Sequence, residues 1–564
     1  MLRFPLIIFL FTSVFAAKID KSLQKYINEN PSQNIKVWIF FKDKGPKNDL
    51  SFAKEQTRIS PRALKRRSKM DGSVISFSDY PVYDTYISQI SNHLVKIRKK
   101  SRWLNALSAV IDPVVINTLS GYDFISEIRL MATYKKRITK ENSGLYKTVP
   151  TPEDSQFYGN SLRQLEQIGV IDMHKMGYTG EGVTIAMLDD GFNQYNRHIV
   201  FNSLDVLDTY DFVNNDMDVT DRDSIPRQGW HGTQTLSVIA GYKEGKLIGS
   251  AYGASFLLAK TEIDKNEIQQ EEDYWVAGLE WAEAHGADIV NSSLGYYDWY
   301  TWQDMDGQTA VTTLATIEAE TKGVVVVISA GNEGAKTAPN TLGAPADGIF
   351  VVTVGGVRPD GTYWSTSSYG PTADGRIKPD VCAMGTSVYR ASDSDTSLFL
   401  YGSGTSFSSP LTAGAIALLL QAYPDLTPQD IRDAITKTAS QAKTPDNFMG
   451  YGIVDIYAAY RYIMNDSLPA ERRVRQLLNS PNPFSSYTRI EYALKVPSII
   501  SLTVYDVSGR EVLSISEKQV AGSDYEIIRG EQLGANGIYF YTVNGKELVS
   551  GKKISRQGKL LYFK

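Results

Sequence analysis

Val183-Thr184-Ile185-Ala186-Met187-Leu188-Asp189-Asp190-Gly191 is the stretch that decides the fold. An apolar, partly β-branched run stops abruptly at two acids and a glycine. A short continuous apolar run of this kind suits a strand in a parallel sheet, where both faces are covered. The form recurs at residues 287–295 (ADIVNSSLG), 324–332 (VVVVISAGN) and 349–357 (IFVVTVGGV), each ending at Gly, Ser, Asn or Asp. Helical patterns lie between them, as in residues 273–286 (DYWVAGLEWAEAHG) and from Ala310 to Glu320. Strands alternating with helices predict an α/β domain with a doubly wound parallel sheet over residues 151–465. In such sheets the functional residues stand at the carboxyl ends of strands, where the polar residues fall here.

Outward from this domain the chain changes character. Met1-Leu2-Arg3, the apolar run Phe4 to Phe15, and Ala16-Ala17 follow the order of a signal peptide, residues 1–17. About a dozen apolar residues is short for a membrane span, which needs about 20. Residues 18–150 read as a compact α+β unit, with a strand at Ile35–Phe41, a basic helical stretch at residues 59–70 (ISPRALKRRSKM), and a strand after Trp103 in SRWLNALSAVID. The basic clusters Lys65–Lys69 and Lys96–Arg102 read as solvated helix faces. Residues 140–155 (KENSGLYKTVPTPEDS) form an exposed, cuttable linker. Residues 466–478 are a charged connector, and residues 479–564 alternate apolar and polar with Gly and Asn at turns, which predicts a small antiparallel β-sandwich.

Composition excludes several classes. The chain of 564 residues has a formal charge of −4 and a pI of about 5.9, with no basic footprint for nucleic acid. The one cysteine, Cys382, forbids an intramolecular disulfide and reads as a small buried hydrophobe. No phosphate-binding loop, zinc pattern or dinucleotide glycine motif is present.

Three motifs carry chemistry. Asp189 ends its strand, where an acid orients a histidine; it is preferred to Asp190 because it continues the strand directly. Among five histidines, His231 alone sits in a Gly- and Ser-rich frame, His231-Gly232-Thr233, at the mouth of a helix. Ser406, in Gly402-Ser403-Gly404-Thr405-Ser406-Phe407-Ser408-Ser409-Pro410, opens an apolar helix whose N-terminus favours developing negative charge. Each has a bland reading: acids end many strands, most histidines are structural, and Ser is a common N-cap. A fourth element, Ala330-Gly331-Asn332-Glu333-Gly334, offers the Asn332 amide as a donor to an oxyanion.

The order LDDG, HGT, AGNEG, GTSFSSP resembles the subtilisin-like (S8) serine peptidase family across residues 155–465. The resemblance implies that Ser406 attacks the peptide carbonyl, His231 moves its proton, Asp189 fixes the imidazole, and Asn332 with the Ser406 N–H holds the oxyanion. It also implies that Ser293-Leu294-Gly295 pairs with extended substrate. Gln234 stands where the family often has a second His, Asp190 where Ser or Thr is common, Phe407 where Met is common and Ser408 where Ala is; Asp190 is expected to raise the His231 pKa. Residues 18–150 resemble a family propeptide that helps folding and blocks the cleft, and removal is expected near residues 145–155.

The tail, from Ser480-Pro481-Asn482-Pro483-Phe484 through residues 488–494 (TRIEYAL), 504–512 (VYDVSGREV) and 533–543 (LGANGIYFYTV), resembles the C-terminal sorting domain of the type nine secretion system. It implies a secreted or surface protein that passes the periplasm and engages outer-membrane secretion machinery. The expected partners are protein or peptide substrates and the chain's own propeptide, with no nucleic acid. No cofactor is expected to be required; Ca²⁺ is possible in the acid-rich stretch 214–223 (NNDMDVTDRD). Residues 296–307 (YYDWYTWQDMDG) are expected to shape specificity, with Asp298 and Asp304 favouring basic residues in the substrate. The rival readings are a narrow processing protease and an inactive surface binding protein of the same fold.

Overall fold

The computed structural model describes residues 19–464 and 474–562, apart from 20, 32, 47–57, 71–73, 132–151, 221–227, 264–269, 298–299, 481–486 and 548–552. The expected signal peptide, nearly all of the linker before residue 155 and most of the connector after 465 lie outside the described residues. The chain divides into two units, residues 1–51 with 77–133, and residues 52–76 with 134–564.

The first unit is an antiparallel sheet of β1 (Ile35–Phe41), β2 (Leu94–Ser101), β3 (Ala106–Ile111) and β4 (Ile125–Leu130) in the order β2-β3-β1-β4. Its core gathers Val37, Ile39, Leu107, Ala109, Ile111 and Ile128 with Leu23 of helix α1 (Lys21–Glu29). This is the α+β unit expected. The run Lys96–Arg102 does not form a helix face: nearly all of it lies on β2, an edge strand, where lysines keep unpaired backbone from docking onto another sheet.

The second unit holds a seven-stranded parallel sheet. Its strands are β5 (Thr184–Asp189), β6 (Asp205–Asp211), β7 (Ser255–Lys260), β8 (Ile289–Ser292), β9 (Val325–Ser329), β10 (Val352–Val357) and β11 (Val381–Met384), in the order β11-β10-β9-β8-β5-β7-β6. Every residue of β5, β8, β9, β10 and β11 is buried, which is why these strands read as unbroken apolar runs. The strand order reverses direction around β5 and β8, so a crevice forms at their carboxyl ends.

Helix α2 (Pro61–Arg67) belongs to this second unit, although the sequence places it in the leading segment. Ser60 caps it, Pro61 occupies its first position, and Ile59, Ala63 and Ile75 pack with Ala284. The expectation of a solvated basic face fails here. Arg66 and Arg67 are buried because both grip the buried Glu283: Arg67 reaches its two carboxylate oxygens at 2.8 and 2.6 Å, and Arg66 ion-pairs with the same group. Arg66 also donates to the carbonyls of Lys322 (3.0 Å) and Ala287, so both guanidinium groups are satisfied largely by fixed partners.

In the tail, β12 (Val474–Ser480), β13 (Tyr487–Asp506), β14 (Glu511–Arg529), β15 (Gly537–Glu547) and β16 (Lys553–Tyr562) are antiparallel and joined in one hydrogen-bonded path whose two ends, β12 and β16, meet again around a shared core, in keeping with the small sandwich expected. Strand β13 runs on for 20 residues and, at a bulge between Leu494 and Ser498, exchanges β12 for β15 on one edge while keeping β14 on the other. Val474–Ser480 is also strand, so the expected connector ends earlier than residue 478. Among the described residues no helix is long and apolar enough to cross a membrane.

Candidate active site

Asp189 is the last residue of β5 and is fully buried. His231 is the second residue of helix α3 (Trp230–Ala240), which starts after Gly229 in a left-handed conformation, φ 72°. The imidazole Nδ1 lies 2.7 Å from Asp189 Oδ1. Asp189 Oδ1 also accepts the Asp190 backbone N–H (2.9 Å), and Oδ2 accepts the Thr235 hydroxyl (3.0 Å). The carboxylate is held on both oxygens, so it fixes the ring and leaves Nε2 for chemistry.

Gly232 explains the HGT motif. A methyl group there would stand 3.0 Å from Asp189 Cβ and 2.9 Å from Phe192 Cε1, so only glycine lets the helix come this close to the strand end.

Asp190 is buried beside this pair and accepts backbone N–H bonds from Gly232 (2.8 Å) and His231 (3.3 Å), capping the helix that carries the histidine. Burial first, then the Asp189 charge, push its carboxyl well above the usual range, against the pull of His231 and the Gly232 N–H. For His231, burial favours the neutral ring, but the Asp189 charge and hydrogen bond, then Asp190 and Glu262, outweigh it and raise the pKa to about 9. The expectation that Asp190 adds to this rise agrees with the geometry.

Ser406 is the second residue of helix α4 (Thr405–Ala422). Its N–H is among the first-turn groups that lack an intrahelical acceptor. Its hydroxyl donates to the Ser293 carbonyl at 3.3 Å, and the Ser293 hydroxyl donates to the Ser406 carbonyl at 2.9 Å, which ties the helix start to the end of β8. No Ser406–His231 hydrogen bond is formed in this structure.

Asn332 follows β9 and Gly331, whose φ of 107° only glycine adopts readily. Asn332 Oδ1 accepts both the N–H (2.9 Å) and the hydroxyl (3.0 Å) of Thr405, and the same hydroxyl accepts the Gly331 N–H at 3.1 Å. With Oδ1 so occupied, the amide presents its Nδ2 hydrogens. The structure thus ties Asp189 to His231, Ser293 to Ser406, and Asn332 to Ser406's neighbour Thr405, with Leu294 and Gly295 continuing from Ser293.

Thr235 and Thr405 were missed in the sequence. Thr235 had a signal, since it lies four residues after His231 and therefore on the same helix face.

Two of the other four histidines are buried and have structural uses. His174 is buried between Tyr158 and the Ser250 carbonyl, and burial lowers its pKa to about 4. His198 is buried, bonded to Val200 N–H and the Leu398 carbonyl, and its pKa is lowered by burial. Gln234 donates to Asp393 at 3.0 Å. Cys382 is fully buried, and burial pushes its thiol far up. The acid-rich loop lies partly outside the described residues. Within them, Asp216 and Asp218 accept hydrogen bonds from their own loop, and the one grouping of three metal-capable side chains is Asp189, Asp190 and His231.

A serine at a helix N-terminus, an imidazole held by a buried carboxylate and a nearby side-chain amide are the groups that a serine hydrolase uses. Comparison with known proteins narrows this. The "Subtilase family" model matches residues 180–452, "Peptidase S8 propeptide domain, Bacteroidota" matches 36–145, and "Secretion system C-terminal sorting domain" matches 480–557. Subtilisin of Bacillus pumilus is 30% identical over 299 residues, covering 52% of this chain and 97% of that protein. Subtilisin DY of Bacillus licheniformis is 31% identical over 285 residues, covering 50% and 92%. Subtilisin NAT of Bacillus subtilis subsp. natto is 28% identical over 372 residues, covering 64% and 83%. The solved structure of MycP1 with its N-terminal propeptide removed is 25% identical and covers 53% of this chain and 96% of its own, at a TM-score of 0.43. The chain belongs to the subtilase family: it is a serine endopeptidase with a propeptide and a type IX sorting tail, made as a zymogen for secretion or the cell surface.

Proposed function

We propose that Asp189, His231 and Ser406 are the catalytic triad. The observation that carries this is the Asp189–His231 bond at 2.7 Å at the carboxyl end of β5, with Ser406, on a helix N-terminus, tied to Ser293 at the carboxyl end of the neighbouring strand β8. Neutral His231 takes the Ser406 hydroxyl proton at Nε2 as Oγ adds to the peptide carbonyl carbon. The negative charge that appears on the carbonyl oxygen is met by Asn332 Nδ2 and the Ser406 N–H. Collapse breaks the C–N bond, and His231 returns the proton to the leaving amine. Water repeats the sequence on the acyl-enzyme and restores Ser406. Asp189 orients the ring and stabilises its charged form throughout. No cofactor enters these steps.

Ser293-Leu294-Gly295 is the substrate-pairing segment in this reading, because the Ser293 carbonyl stands 3.3 Å from the nucleophile. Residues 1–17 are the signal, 18–150 the propeptide that inhibits the enzyme, 151–465 the peptidase, the connector runs from 466 to the strand that starts at Val474, and the rest to 564 is the sorting domain. The route runs through the periplasm, and the partner of the tail is the outer-membrane secretion machinery.

The test is the full chain, wild type against Ser406→Ala, with products read by mass spectrometry. Self-trimming near residue 150 and cutting of peptides by the wild type alone is expected. A Ser406→Ala protein that still cuts would remove the assignment. Deletion of residues 479–564 is expected to leave the peptidase in the periplasm.

A further inference from the structure

Three glycines from separate segments line one slot beside the nucleophile, and a side chain of the protein itself fills it. Gly295 ends the substrate-pairing segment, Gly331 directly precedes Asn332, and Gly343 lies on the segment whose neighbour Ala344 pairs with Tyr296 through backbone bonds of 2.9 and 3.0 Å. A methyl group added at Gly295 would lie 3.1 Å from Tyr297 Cε2, and one at Gly343 would lie 2.5 Å from Tyr297 Cζ. One at Gly331 would fall on the Tyr297 hydroxyl. The Tyr297 ring therefore occupies the space that the three missing side chains leave.

The position of this slot gives it a role. A substrate pairing with residues 293–295 places its reacting carbonyl carbon at Ser406 Oγ and the carbonyl oxygen toward Asn332. In an extended chain the side chain of that same residue projects to one face of the pairing strand. Here that face is bounded by Gly295 on one side and by Gly331, the residue before Asn332, on the other. The side chain on the acyl side of the cut bond thus meets the Tyr297 ring.

We propose that Tyr297 sets the size limit of the peptidase, restricting the residue on the acyl side of the cut bond to Gly, Ala or Ser. The inference rests on the triad reading above and goes beyond it by naming the substrate class. Phenylalanine or leucine there has to displace a packed ring, and a steric difference of this size in a pocket discriminates by about 10–200-fold.

The experiment uses mature enzyme generated from the full chain and a set of tetrapeptide p-nitroanilides that differ only in the last residue: Ala, Leu or Phe. Wild type is expected to give a kcat/KM for the Ala peptide at least tenfold above those for Leu and Phe. Tyr297→Ala is expected to raise the Phe-to-Ala ratio at least tenfold. Labelling of Ser406 by a fluorophosphonate probe reports that the variant keeps an assembled site, and Tyr297→Phe, which retains the ring, is expected to keep the wild-type preference. Wild-type enzyme that cuts the Phe or Leu peptide as well as the Ala peptide overturns the inference and leaves the triad reading standing. An unchanged ratio in a labelled Tyr297→Ala enzyme also overturns it. A wild-type enzyme that neither labels nor cuts removes the triad reading, and this inference with it.

Discussion

Thr405 grips Asn332 twice: its backbone N–H and its hydroxyl both donate to Oδ1, at 2.9 and 3.0 Å. In the proposed mechanism, the amide that meets the oxyanion is therefore aimed by the residue adjacent to Ser406. Thr405→Val removes one of these bonds and leaves the Gly331 N–H without its acceptor. A lost hydrogen bond of this kind costs about 1–3 kcal/mol. kcat is expected to fall roughly tenfold or more with KM little changed, whereas Asn332→Ala lowers kcat by about 10²–10³. Steady-state kinetics on one peptide compares the two; an equal loss in both would mean that Thr405 does more than aim the amide.

The pH profile follows from His231. In the proposed mechanism the ring must be neutral to accept the Ser406 proton, and its pKa is raised to about 9. kcat/KM should therefore climb from pH 6.5 toward 9. Asp190→Asn removes a negative neighbour, so the midpoint of that limb should move to lower pH, as measured from kcat/KM across pH 5–10. For stability the sign is the opposite of activity: a raised histidine pKa stabilises the fold fully below 6.5, and this contribution is lost as pH rises through about 9.

Gly232→Ala tests the close approach of helix α3 to β5. The added methyl would force His231 away from Asp189, and a displacement of about 1 Å can cost 10²-fold in rate. The methyl would also collide with the Gly191 carbonyl oxygen, so the variant is expected to melt below wild type, by circular dichroism, and to lose about that factor in kcat at temperatures where it stays folded. Retention of full activity would show that the contact relaxes elsewhere.

Glu283→Gln, made in the uncut Ser406→Ala precursor, leaves two buried arginines short of their counter-charge. Breaking a buried pair from one side costs about 3–5 kcal/mol. The melting temperature should drop by several degrees, and Arg66→Ala should lower it too. The acid side has a definite sign. The Arg66 and Arg67 charges outweigh burial and hold the Glu283 pKa below its ordinary 4.5. Its contribution is therefore fully present above pH 4.5 and is lost only as pH falls through the lower folded value.

The strands and the nucleophile were legible because their signals are local. β5, β8, β9 and β10 announce themselves by uninterrupted apolar runs, and Ser406 by glycines before a greasy helix. Helix α2 was misread because nothing near Arg66 and Arg67 shows what they face; Glu283 lies 216 residues beyond Arg67. Asp304 Oδ2 accepts the Thr301 N–H and hydroxyl, both at 2.7 Å, a local turn that the sequence does not announce. Asp298 lies outside the described residues. Tyr297 reads as one aromatic among several in its segment, and only the three glycines around it, far apart in the chain, reveal where its ring sits.

The seat of helix α2 has a kinetic consequence. A cut near residues 145–155, where the zymogen reading puts it, breaks one covalent bond and leaves the Arg66–Glu283–Arg67 contact whole. Scission and departure are then separate events with separate rate constants, and the second is set by how fast a buried ion cluster opens to water. A freshly cut molecule would carry its own timer, its working life beginning when that cluster lets go.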